Sequence, residues 1–153
     1  MTDGIAGTTT GMTQVGVQVP AEPSQLMMLR ALCDTVALIA DFALDEVADI
    51  RLALDEVVTW LILDAAPDAN VDCRFVYDSR CMVVYISSVT RSEHALTDTN
   101  LCRQIVQRLT DTLYTAQEPF DRDHSGYPTS IAFSWLRRSA RDRWRARGSE
   151  WTR

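Results

Sequence analysis

The longest regular pattern in the chain lies at residues 47–62, where Val47, Ile50, Leu54, Val57, Val58, Leu61 and Ile62 recur at the 3.6-residue spacing of a helix. Asp45 and Glu46 stand just ahead of it, where carboxylates suit the positive end of a helix dipole. A helix with one apolar stripe needs a second layer to bury that stripe, and segments of a different period supply it. Residues 14–19 set Val15, Val17 and Val19 against Gln14, Gly16 and Gln18, the alternation of a half-buried strand, and Pro20 and Pro23 end it. Residues 71–77 and 81–87, rich in β-branched and aromatic side chains around an Asp78-Ser79-Arg80 turn, predict an antiparallel hairpin. Residues 130–136 predict a last strand.

Two further helices complete the set. Residues 22–40 carry Leu26, Leu29, Ala31, Leu32, Val36 and Ile39 near helical spacing, with Pro23 tolerated in the first turn, and residues 41–43 connect to the long helix. Residues 100–117 return to that spacing through Leu101, Ile105, Leu109 and Leu113, and residues 119–128 read as a polar loop containing Gly126. The order strand, helix, helix, strand, strand, helix, strand predicts a two-layer α/β sandwich with a mixed, mostly antiparallel sheet and helices on one face. At 153 residues this is one domain, residues 14–136, between a Gly- and Thr-rich leader at residues 1–13 that is expected to be disordered and an Arg-rich tail at residues 137–153.

Several function classes fall away on composition. All fifteen basic residues are Arg, so there is no lysine for a P-loop or a Schiff base. The net charge of −6 divides into +5 on residues 137–153 and −11 on the rest, so any nucleic-acid role rests on that tail alone, and none is expected of the body. The tail interleaves Arg with Trp144 and Trp151; an acidic protein, promoter DNA and the chain's own acidic body are all open as its partner, as is a solvated end. Cys33, Cys73, Cys81 and Cys102 show no paired spacing, which predicts reduced, mostly core thiols and no metal site. No apolar run suits a membrane span or a signal peptide, which predicts a cytoplasmic chain. His94 and His124 are the only histidines, and the Asp121-Arg122-Asp123-His124-Ser125 run reads as a solvated loop rather than a hydrolytic device.

On the long helix, Glu56 falls opposite the Val47 stripe with Asp49 and Trp60 beside it, and periodicity alone reads this as a solvated acidic face with one exposed Trp. The run Val19-Pro20-Ala21-Glu22-Pro23, then Leu29-Arg30, then the thirteen residues from Val47-Ala48-Asp49-Ile50-Arg51 through Leu52-Ala53-Leu54-Asp55-Glu56 to Val57-Val58-Thr59 resembles the RsbW-type anti-sigma factors, serine kinases of the histidine-kinase-like ATPase superfamily, actinobacterial branch. The resemblance implies a sandwich of the Bergerat type that holds ATP and Mg²⁺, a homodimer, and two partners: an alternative sigma factor kept from RNA polymerase, and an anti-anti-sigma protein phosphorylated on Ser or Thr. It places Glu56 as the general base of that transfer and Arg30 at a partner-contacting position, against the plainer reading of Arg30 as a surface cation.

The chain departs from the family at two points. Where the family has the Mg²⁺-binding Asn, this chain has Trp60, whose indole offers a donor only and can instead fill the vacated pocket. The family's glycine-bearing phosphate motifs have no counterpart, because no glycine stands between positions 17 and 125, and Ser87-Ser88-Val89-Thr90-Arg91 takes their place. Asp98 has no flanking glycine and reads as a helix cap. The expectation is therefore an anti-sigma factor with weak or lost kinase activity, and the alternative is an active Ser/Thr kinase acting on its antagonist.

Overall fold

The alternating valines at the start of the chain form an edge strand. A computed structural model describes residues 11–93 and 100–139, and in it β1 (Thr13–Pro20) pairs antiparallel with β2 (Asn70–Tyr77). A 3-10 turn (Pro23–Gln25) leads into α1 (Leu26–Ile39), followed by α2 (Leu44–Leu63). Strand β3 (Cys81–Thr90), α3 (Leu101–Leu109), β4 (Thr112–Gln117) and β5 (Tyr127–Leu136) complete the chain. The strands lie in the order β1-β2-β3-β5-β4, and every neighbouring pair is antiparallel rather than mixed.

Period two decides which sheet face is buried. Val15, Phe75, Val84, Phe133 and Leu113 stand in one cross-strand row, and Val17, Cys73, Ile86 and Ile131 in the next, all in the core beneath the helices. From α2 the predicted stripe meets them, with Ile50, Leu54, Val58 and Leu61 fully buried. The opposite sheet face is polar: Gln18 donates to Asp72 at 3.1 Å, and the Arg74 guanidinium lies 5.0 Å from the centre of the Tyr85 ring. The hairpin turns as expected, with the Asp78 carboxylate accepting from the backbone N–H groups of Arg80 at 2.7 Å and Cys81 at 2.9 Å. With no glycine between positions 17 and 125, the chain uses Asp41 (φ 64°) and Asp68 (φ 57°) for left-handed turns there, a conformation that Asp tolerates better than most residues.

The third helix is shorter than its spacing predicts, and residues 112–117 form a strand. Leu113 continues the spacing of Leu101, Ile105 and Leu109, but contacts from β5 stop the helix before it. The Trp135 indole N–H donates to the Leu109 carbonyl at 2.7 Å, and the Asp111 carboxylate accepts from the Leu136 N–H at 2.6 Å. Thr110 is already extended, and the β-branched Thr112 and Thr115 suit the sheet edge that follows. The hairpin and last strands also run past their predicted ends, β3 to Thr90 and β5 back to Tyr127. Gly126 lies against them so closely that a side-chain carbon there would stand 2.5 Å from the Thr90 carbonyl oxygen.

The first residues of the Arg-rich tail are part of the fold. Arg137 donates to the Ala40 carbonyl at the end of α1, lies 5.7 Å from the centre of the Phe42 ring, and is largely buried. Arg138 pairs with Asp45 at 2.6 Å and its N–H donates to Glu46 at 3.2 Å, at the start of α2. The two arginines pin the end of β5 to the α1–α2 connector. His94, Asp98, most of the expected leader and the remainder of the tail lie outside the described residues.

Candidate functional site

Helix geometry puts the candidate residues on opposite flanks of α2. Asp55, Arg51 and Ala48 face α1, whereas Glu56, Trp60 and Asp49 face the α3 side, so Arg30 and Glu56 are not brought together.

On the α1 flank, Arg30 grips Asp55 in a two-point pair, Nε to Oδ1 at 2.8 Å and Nη2 to Oδ2 at 2.9 Å. Alongside it, Arg51 pairs with Asp34 at 3.1 Å with the charges in the opposite order. Arg30, Ala48, Arg51, Leu52 and Asp55 line a groove of about 440 Å³ between the two helices. Arg30 is thus a half-exposed member of a neutral ladder. The partner residue Asp55 was present in the sequence only as a carboxylate four positions from Arg51, with nothing local to point it at α1.

The other flank meets α3. The Cys102 thiol of α3 approaches the Glu56 carbonyl oxygen at 3.5 Å, which fastens α3 to α2 at the Glu56 turn. Burial and the nearby Glu56 charge push that thiol up to about 11. Glu56 is half-buried, and Trp60, one turn on, packs its ring against the core rather than standing exposed as the periodicity suggested. Another turn along, Asp64 is engaged by Ser92, accepting from its N–H at 3.2 Å and its hydroxyl at 2.8 Å.

Beyond Ile86 and Ile131 the core face of the sheet becomes polar and satisfies itself. Thr90 and Thr129 share a hydrogen bond at 2.9 Å, and the Gln117 amide donates to both hydroxyls and to the Ser92 carbonyl. Ser88 donates to the Asn70 carbonyl at 2.8 Å. A resident Mg²⁺ does not fit these donors: Trp60 has no acceptor atom, and Asp64 already holds Ser92. The segment standing in for a phosphate loop does not fit either, because Ser88, Val89 and Thr90 continue the ladder with Thr129, Pro128 and Tyr127. Among the described residues no cluster of three or more His, Cys, Asp or Glu side chains is placed to hold a metal ion, and no helix is long and apolar enough to cross a membrane. Cys33, Cys73 and Cys102 are buried free thiols, and Cys81 is half-buried.

No protein-family model matches the chain. It is 32% identical over 135 residues to the anti-sigma-F factor RsbW of Mycobacterium tuberculosis strain CDC 1551 / Oshkosh, an alignment covering 87% of this chain and 79% of that protein. The RsbW of strain ATCC 25618 / H37Rv aligns with the same identity and coverage. At that coverage the likeness reaches well beyond the motif-bearing α2, and the chain belongs to the RsbW family of anti-sigma factors.

Proposed function

We propose that the protein is a cytoplasmic anti-sigma factor that sequesters an alternative sigma factor, is countered by an anti-anti-sigma protein, works as a homodimer, and does so without Mg²⁺-dependent phosphoryl transfer. The observation that carries the reading is membership of the RsbW family, at 32% identity over 87% of the chain, combined with Trp60 where the resemblance puts a magnesium ligand. Binding a protein needs a surface, not a phosphate loop. The α1–α2 groove supports that use: Nε and Nη2 of Arg30 are held by Asp55, Nη1 makes no described hydrogen bond, and the side chain is 43% exposed. An oriented guanidinium with its outer edge open is suited to a carboxylate of the sigma factor, at little cost in ordering the side chain.

The test is transcription by RNA polymerase carrying the host's alternative sigma factor, with this protein added in increasing amounts. The reading expects transcription from that sigma factor's promoter to stop near equimolar protein, equally with and without Mg·ATP preincubation, and Arg30→Ala to need at least tenfold more. Undiminished transcription would overturn the anti-sigma reading. Transfer of phosphate from ATP to the antagonist's Ser or Thr, lost in Glu56→Ala, would instead establish the active kinase with Glu56 as base.

A further inference from the structure

The crest of α2, between its two flanks and directly away from the sheet, carries Asp45, Asp49, Leu52, Glu56 and Leu63 at helical spacing, with Asp49 and Glu56 leaning toward α3. Arg51 is the one basic residue of α2, and it is turned onto Asp34 of α1. Of the five acids on the helix, Asp55 is held by Arg30, while Asp45 and Glu46 are engaged by Arg138. The carboxylates of Asp49 and Glu56 make no hydrogen bond or ion pair among the described residues. Two apolar side chains share the crest with them, Leu52 at 45% and Leu63 at 78% exposure.

The described chain ends at this crest. Arg137 is pinned to Ala40 and Phe42, and Arg138 meets Asp45 and Glu46 in the first turn of α2, so residues 140–153 leave the fold at the end of the acidic row. Those fourteen residues carry five Arg against Asp142 and Glu150, together with Trp144 and Trp151. Glu56 stands eleven residues beyond Asp45, roughly 16 Å along the helix, whereas fourteen residues span roughly 21 Å as a helix and more when extended.

We propose that residues 140–153 fold back along the crest of α2, with their arginines on Asp49 and Glu56 and their tryptophans on Leu52 and Leu63. Charge and tethering select this occupant over the other partners open to the tail. A body of net −11 repels the phosphates of DNA and attracts the tail, and a segment anchored at Arg137 meets α2 at the millimolar effective concentration of a short tether, which a separate acidic protein does not reach. Arg and Trp together suit a row in which carboxylates alternate with exposed leucines. The tail is then a built-in cover over the Glu56 side of α2, competing with any other partner for that face. This contact needs neither nucleotide nor sigma factor.

Limited trypsin digestion of the full chain tests it, read by intact mass as the initial rate at which fragments ending at Arg141, Arg143, Arg145 and Arg147 appear. A synthetic peptide of residues 140–153 is the unprotected reference, Asp49→Asn/Glu56→Gln removes the acids of the crest, and Asp123→Asn, exposed on the 119–128 loop, controls for loss of charge alone. At about 50 mM salt the wild-type tail is expected to be cut at least tenfold more slowly than the peptide, and the double variant at least fivefold faster than wild type, with Asp123→Asn unchanged. Should the double variant not fold, wild type at about 0.5 M salt gives a second readout, since exposed ion pairs are screened there and the gap to the peptide should narrow at least threefold. Cleavage of the wild-type tail at the peptide's rate would overturn the proposal. Equal protection in wild type and the double variant, or protection indifferent to salt, would overturn α2 as the docking surface. Protection that disappears on dilution of the wild type would overturn the contact within one chain and assign the tail to α2 of another copy.

Discussion

Arg137 and Arg138 are adjacent residues of one basic tail, and the structure assigns them unequal weight. The Arg137 side chain is 16% exposed, donates to the Ala40 carbonyl and lies over Phe42, whereas Arg138 is 57% exposed and meets an equally exposed Asp45. A hydrogen bond from a charged donor contributes about 1.5–3 kcal/mol, and a partly buried cation–ring contact about 0.5–1 kcal/mol. Asp41 adds little at 3.8 Å, since it is 93% exposed. Arg137→Ala should therefore cost about 2–3 kcal/mol, which for a chain of this size lowers Tm by roughly 5–10 °C. Arg138→Ala removes a solvent-screened pair and should cost under about 1 kcal/mol. Thermal melts followed by circular dichroism separate the two. Equal shifts, or a fall of less than about 2 °C for Arg137→Ala, would refute the claim that the start of the tail is a structural staple.

Trp60→Asn restores an amide where the resemblance puts the magnesium ligand, and it should not restore phosphoryl transfer, since β3 remains paired to Thr90; it should lower stability by about 1–2 kcal/mol through the lost ring. Mg²⁺-dependent transfer by this variant would show that the donor argument fails. His124 lies 2.6 Å from Asp121, which holds the imidazole above its ordinary 6.5, while the same contact holds the Asp121 carboxyl below its ordinary 3.8. The stabilisation from His124 is full below its unfolded value and fades as pH rises through the raised one; that from Asp121 is full above its unfolded value and fades on acidification. An NMR titration should find His124 above 6.5, returning toward it in Asp121→Asn; an unchanged value in the variant would remove Asp121 as the cause. Burial pushes Cys73 up to about 12 and Cys33 higher still, so a thiol reagent at pH 8 should spare both in the native protein and label them on unfolding. Rapid native labelling of Cys33 would contradict the packing of α1 on the sheet.

What could be read from the sequence was whatever a single segment decides. Residues 47–62 carry a stripe long enough to name a helix and its buried face, and residues 71–87 carry strand chemistry on both sides of an Asp turn. Residues 112–117 could not be read in this way, since Leu113 fits the helical spacing and the strand is imposed by Trp135 and Asp111, whose partners stand more than twenty positions away. The same limit applies to the candidate site. Periodicity located Glu56 and Trp60 on one face of α2, but the packing of α3 across that face, through Cys102, turned a solvated face into a half-buried one. Arg30 was legible as a position, and its pairing with Asp55 was not, because that pair spans two helices. Composition cast residues 137–153 as a tail, whereas Arg137 belongs to the core's margin for reasons held in Ala40 and Phe42.

The account turns on a protein that holds its sigma factor without nucleotide chemistry. Affinity purification of the tagged full chain from its native host, once in buffer free of nucleotide and once with Mg·ATP, with co-eluting proteins identified by mass spectrometry, tests that most directly. The account predicts an alternative sigma factor in both samples at similar yield. A sigma factor retained only with Mg·ATP would contradict the nucleotide-independent reading, and neither a sigma factor nor an antagonist in either sample would contradict the anti-sigma function itself.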